Sequence, residues 1–167
     1  VSAVKTSRLA SDGAGFIPHV ITSSIEHEAV LAPARHLRRM GVQVTVLKPN
    51  KQGFITVEQV VEALQPNTIL VSLMLANNEV GSIQPIAEIV RLAHEQGVFV
   101  HTDAVQALAK IPVNVGDLGV DAASFSAHKI CGPKGVGALF LKKGTPFEPF
   151  MLGGGQESGL RSGTQNV

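Results

Sequence analysis

The chain has 167 residues, 44% of them hydrophobic, which is enough to bury one sizeable core and excludes a disordered linker. Its 14 basic and 13 acidic residues nearly cancel, and no run of Lys or Arg is interleaved with aromatics, so nucleic acid is not an expected ligand. A single cysteine, Cys131, excludes an internal disulfide; no apolar run is long enough to span a bilayer, and the start Val-Ser-Ala-Val-Lys-Thr lacks an apolar signal core, so a reducing, cytoplasmic setting without membrane attachment is expected.

In chain order, Val1 to Pro18 reads as helical at most at its start, with Asp12-Gly13-Ala14-Gly15 a loop. From His19 onward, short runs rich in Ile, Leu and Val alternate with amphipathic stretches of helical period. The predicted strands are His19 to Ser23, Val42 to Leu47, Thr68 to Met74, Val98 to His101, Ala122 to Ser126 and Val136 to Leu141. The predicted helices are Glu28 to Met40, Val57 to Leu64 and Ile86 to Gln96, with Gly41 and Gly97 placed as C-terminal stops. Continuous apolar strands are covered on both faces and helical crossovers join parallel neighbours, so the expected fold is α/β, a three-layer sandwich with a mainly parallel sheet. The absence of an initiator Met and the ending Gly-Thr-Gln-Asn-Val directly after a glycine-rich stretch suggest a piece of a longer protein.

In a parallel sheet, ligands collect at the carboxyl ends of the strands, which draws attention to His27, Asn77 and Asn78, Asp103 and Gln106, and the group Ser126 to Lys129. Lys129 lies between an apolar strand and the turn Gly132-Pro133-Lys134-Gly135; partial burial there would free its amine for Schiff-base chemistry, whereas most lysines are simply solvated. Asp103 follows an apolar run, where a carboxylate needs a partner such as a protonated ring nitrogen, or serves as a helix cap. His27 stands where a strand gives way to a helix, so its ring could stack on a planar group or simply begin the helix. The other histidines have no metal-site spacing, and no metal is assigned.

Five segments carry a more specific signal: Ser23-Ser-Ile-Glu-His27-Glu-Ala-Val, Met74-Leu-Ala-Asn-Asn78-Glu-Val-Gly, His101-Thr-Asp103-Ala-Val-Gln106, Ser126-Ala-His128-Lys129-Ile-Cys-Gly-Pro-Lys-Gly, and Gly153-Gly-Gly-Gln-Glu-Ser-Gly-Leu-Arg161-Ser-Gly-Thr164. In this order and spacing they resemble the cysteine desulfurase group of class V aminotransferase-like proteins. The resemblance implies the large domain of a fold type I transferase that uses pyridoxal 5′-phosphate (PLP), with Lys129 forming the Schiff base and later moving protons at the substrate α-carbon. It implies that Asp103 pairs with the pyridinium nitrogen and that His27 stacks on the ring and handles protons. Gln106 and Asn78 would bond the ring hydroxyl or the substrate, and Ser126 and His128 the phosphate, joined by Thr164 from a neighbouring subunit of a homodimer.

The implied reaction converts L-cysteine to L-alanine and passes sulfur through an enzyme persulfide to acceptors such as iron–sulfur scaffold proteins. The family's persulfide cysteine lies beyond the Arg161 motif, so Cys131 is expected to be a packed, non-catalytic thiol. Residues 1–167 are expected to form the central part of the large domain, with an N-terminal segment and a C-terminal small domain outside it, and alone to bind PLP weakly or not at all. Selenocysteine lyase is a rival within the family. A non-catalytic dinucleotide-binding or scaffold domain, suggested by Gly13-Ala14-Gly15 and Gly153-Gly154-Gly155, is a rival of another class, although neither cluster sits between a strand and a helix. An inactive folded fragment is a third.

Overall fold

The computed structural model describes residues 15–164; the expectations for the segment before residue 15, including most of the Asp12 loop, lie outside them. Ile17–Lys143 forms one compact unit, and residues 15–16 and 144–164 belong to another.

The first unit is a six-stranded sheet in the order β2-β1-β3-β4-β5-β6. Its strands are β1 (His19–Ser23), β2 (Gln43–Leu47), β3 (Thr68–Met74), β4 (Phe99–Asp103), β5 (Ala122–Ser126) and β6 (Gly137–Leu141). Neighbours from β2 to β5 run parallel, and β6 returns antiparallel along β5. The helices are α1 (Glu28–Arg39), α2 (Val57–Ala63), α3 (Ile86–Glu95) and the single turn α4 (Val115–Leu118).

The alternation of side chains along each strand decides which helix covers which face. Ile21, Val71, Leu73, Val100 and Ala123 join Val60 of α2 and Ile86, Ile89, Val90 and Ala93 of α3 in one buried cluster. Val44 and Val46 pair in register with Val20 and Thr22, on the face opposite Ile21. There they meet Leu31, Ala34 and Arg38 of α1, so helices lie on both sides of the sheet. This is the expected three-layer α/β sandwich.

Two predicted helix stops carry the whole geometry of the αL ending. At Gly41 (φ +89°) and Gly97 (φ +68°) the chain turns left-handed. The next amide then reaches back into the helix, from Val42 to Leu37 O at 3.0 Å and from Val98 to Ala93 O at 3.0 Å. α2 opens with a reciprocal Thr56–Gln59 capping box. The strand and helix expectations match these elements to within a residue or two at their ends. The turn α4, whose four residues are too few to show a period, was outside them.

In the second unit, Ser162 is buried and holds the glycine loop. Its hydroxyl donates to Gly154 O (2.6 Å) and its amide to Met151 O (3.3 Å), while Gly163 N donates to Gln156 Oε1 (3.2 Å). Among the described residues no helix is long and apolar enough to cross a membrane.

Candidate active site

Because β1 to β5 run parallel, their carboxyl ends share one edge of the sheet. That edge receives His27 after β1, Asn77 and Asn78 after β3, Asp103 as the last residue of β4 with Gln106 beyond it, and Ser126, His128 and Lys129 at the end of β5. Thr164, exposed, belongs to the second unit.

His27 is exposed and caps α1, its Nδ1 accepting from Ala29 N at 3.1 Å. That bond needs a lone pair on Nδ1, so the neutral ring carries its proton on Nε2. The cap and the exposed ring are therefore compatible: one nitrogen fixes the orientation and leaves the other free. His27 and the exposed Asn78 line a cleft of about 590 Å³, together with Glu26, Asn50, Lys51 and Asn77. Asp103, Gln106, Ser126, His128 and Lys129 are not among its walls.

Asn77, rather than Asn78, builds the loop. Its Oδ1 accepts from Glu79 N (2.9 Å) and Val80 N (2.8 Å), and its Nδ2 donates to Ile25 O (2.9 Å).

Asp103 is buried, with 7% of its surface exposed. Oδ1 accepts from Val105 N at 2.9 Å, and Oδ2 has no partner among the described residues. The capping alternative is thus half realised, since Asp103 caps a turn rather than a helix, and one carboxylate oxygen remains for a donor. The half-buried Gln106 receives a hydrogen bond from Lys110 Nζ.

After β5 the chain makes a single 3₁₀ turn, Ala127–Ile130, which ends in the left-handed conformation at Cys131 (φ +63°). Ser126 Oγ and His128 Nδ1 lie 2.7 Å apart. One expectation is corrected here: Cys131 is exposed rather than packed. Lys129 is exposed, the solvated of the two alternatives its sequence position left open. The reason is local: the 3₁₀ turn and the αL residue after it carry the chain off the sheet edge before it returns as β6.

Sequence reasoning missed two polar groups, one buried and one half-buried. One is Glu26, only 6% exposed, whose Oε1 accepts from Ser23 Oγ and from Met74 N (3.0 Å) and whose Oε2 is buried without a partner. Burial pushes this carboxyl up to about 7 against the bonds from Ser23 and Met74, and the charge of Asp103 adds to the rise. A Glu in a strand-end loop reads as solvated, so the sequence offered no signal. The other is His101, bridging Ser72 Oγ and Ser124 Oγ at 2.8 Å on each side and held below the ordinary imidazole range by burial, with Asp103 acting the other way.

A mainly parallel α/β sheet with a buried carboxylate, an exposed amine and an oriented imidazole along its carboxyl edge has the form of an enzyme with its site at the strand ends. Residues 14–167 match the model of the aminotransferase class-V family, and the chain belongs to that family. It is 50% identical over 149 residues to cysteine desulfurase IscS of Dictyoglomus turgidum (strain DSM 6724 / Z-1310), a match covering 89% of this chain and 38% of that protein. It is 47% identical over 149 residues to the IscS of Methanosarcina thermophila, covering 89% and 37%. Among solved structures, SspA in complex with cysteine superposes with a TM-score of 0.86 at 42% identity, over 98% of this chain and 49% of that one. DndA from Streptomyces lividans does so with 0.81 at 48%, over 87% and 42%. The chain thus spans less than half the length of these relatives.

Proposed function

We propose that the protein is a PLP-dependent cysteine desulfurase, releasing L-alanine from L-cysteine and passing the sulfur to an acceptor protein such as an iron–sulfur scaffold. The observation that carries the reading is Asp103: a buried carboxylate at a strand end with one oxygen unpaired, on the same sheet edge as the exposed amine of Lys129 and the oriented ring of His27. A protonated pyridine nitrogen is the kind of partner such a carboxylate fits. The cofactor, when bound, supplies an electron sink for charge developing at the substrate α-carbon.

In this reading Lys129 is the amine that holds the cofactor and moves the α-proton, its exposure leaving Nζ free to reach it. His27 offers its ring face and an Nε2 proton. Asn78 and Gln106 orient the ring hydroxyl or the substrate, and Ser126 and His128 bind phosphate. Thr164 would serve a second copy of the chain, making a homodimer, in a reducing compartment such as the cytoplasm. The relatives named cysteine desulfurase support the choice of substrate.

The test is spectroscopic. The full-length protein should show a visible cofactor band that borohydride abolishes, and Lys129→Ala should lose the band with an unchanged circular dichroism spectrum. A colourless protein, or a band that survives in Lys129→Ala, overturns the assignment. Alanine and sulfide release from cysteine, measured beside selenide release from selenocysteine, then distinguishes a desulfurase from a selenocysteine lyase.

A further inference from the structure

We propose that Glu26 is a positioning residue of the cofactor site, clamping the loop that presents His27 onto the carboxyl end of β3 beside Asp103. The inference rests on the PLP reading above. Its first support is connectivity. Glu26 immediately precedes His27, and its Oε1 takes two bonds, one from Ser23 at the end of β1 and one from Met74 N at the end of β3. Met74 is in turn the register partner of Asp103, and the next amide, Leu75 N, donates to Asp103 O at 2.9 Å. One carboxyl therefore links the loop holding the imidazole to the strand pair holding the carboxylate. Asn77 adds a second tie, to Ile25 O.

The second support is chemical. Both bonds to Glu26 fall on Oε1, and Oε2 is buried with no partner among the described residues. An ionised carboxylate in that position would leave a charged oxygen unsolvated, whereas a protonated one keeps Oε1 as the acceptor that Ser23 and Met74 need. Of the ionisable groups around it, Asp103 on β4 is the one whose charge bears on Glu26; β1 and β3 supply Ser23 and a backbone amide. Burial holds the proton on Glu26, and the charge of Asp103, one strand beyond β3, adds to that hold. A glutamine can make the same Oε1 contacts, and an alanine can make none.

The test uses Glu26→Gln and Glu26→Ala in the full-length protein. Hydrogen exchange of the apoprotein should rise at least tenfold over residues 24–30 in Glu26→Ala and stay within twofold of wild type in Glu26→Gln. The dissociation constant for PLP should weaken at least tenfold in Glu26→Ala and less than threefold in Glu26→Gln. Wild-type affinity should change between pH 6 and pH 8 as Glu26 ionises, and Glu26→Gln should remove that change. The proposal fails if Glu26→Ala binds PLP within twofold of wild type, if Glu26→Gln is as impaired as Glu26→Ala, or if Glu26→Gln keeps the wild-type pH dependence. Should Glu26→Ala not fold, the pH profile of Glu26→Gln decides alone. A wild-type protein that takes up no PLP refutes the functional reading before any variant is made, so the two failures are separable.

Discussion

The hydroxyl of Ser126 and Nδ1 of His128 are hydrogen-bonded at 2.7 Å across the 3₁₀ turn that follows β5. The bond ties one ring nitrogen of an exposed imidazole to the strand and leaves Nε2 outward, an arrangement suited to an anion. Removing the hydroxyl frees the ring as well as deleting a donor. Ser126→Ala is therefore expected to weaken PLP binding about tenfold, the scale of one hydrogen bond to a charged group. Pyridoxal without the phosphate should bind equally to variant and wild type, and an equal loss for both ligands would remove these residues from the phosphate site.

The turn carrying Lys129 depends on Gly132. A Cβ built there would stand 2.8 Å from Ala127 Cβ and 3.0 Å from Ala127 O, the carbonyl that accepts from Gly132 N at 2.8 Å. Neither neighbour is a flexible side-chain end, so the backbone must give way. Gly132→Ala should cost about 1–3 kcal/mol in denaturant unfolding, the range for forced overpacking. Gly155→Ala, with nothing within 4 Å and no left-handed φ, is the control and should cost less than about 1 kcal/mol.

Asp103→Asn separates charge from geometry at the buried strand end. An amide oxygen can still accept from Val105 N, so the turn at Ala104 should persist and stability should stay within about 1 kcal/mol of wild type. The loss of a charge-assisted bond of about 1.5–3 kcal/mol should weaken PLP binding roughly ten- to a hundredfold. With the neighbouring charge gone, Glu26 should release its proton at lower pH than in wild type, as its infrared carboxyl band would report.

The sheet was readable because its strands are short apolar runs, with β3 (Thr-Ile-Leu-Val-Ser-Leu-Met) the clearest, and because two of its helices end at Gly41 and Gly97, local signals that tertiary packing did not override. Polar residues just past strand ends pointed to His27, Asp103 and the Ser126 turn for the same reason, since parallel strands share a carboxyl edge. Glu26 and His101 were not readable. Their roles depend on partners from other strands, Met74 for one and Ser72 and Ser124 for the other, and no spacing within a single segment encodes a contact across the sheet. The exposure of Cys131 was misread because its left-handed backbone is a property usually supplied by glycine, and nothing in a cysteine announces it.

Glu26 and two histidines, the buried His19 and the half-buried His101, should give the folding stability opposite slopes with pH. Glu26 is held near 7 in the folded protein against an ordinary 4.5, so between these values the unfolded chain is ionised while the folded one keeps its proton. Fewer protons on the unfolded state mean that stability falls as pH rises through this window, by on the order of 3 kcal/mol in all. His19, bonded to Thr68 and Thr45, and His101 are both held below the ordinary 6.5 by burial. Below 6.5 the unfolded chain takes up protons that the folded one refuses, so their contribution is present above that pH and is lost as pH falls. In the wild type the two contributions oppose each other below pH 6.5, while Glu26→Gln, without the carboxyl, should lose stability as pH drops through the histidine range. Urea unfolding at half-unit pH steps reads the difference directly: the stability of Glu26→Gln minus that of wild type should rise by about 3 kcal/mol from pH 4.5 to 7. A difference that stays constant across the window would mean that Glu26 titrates normally in the folded protein.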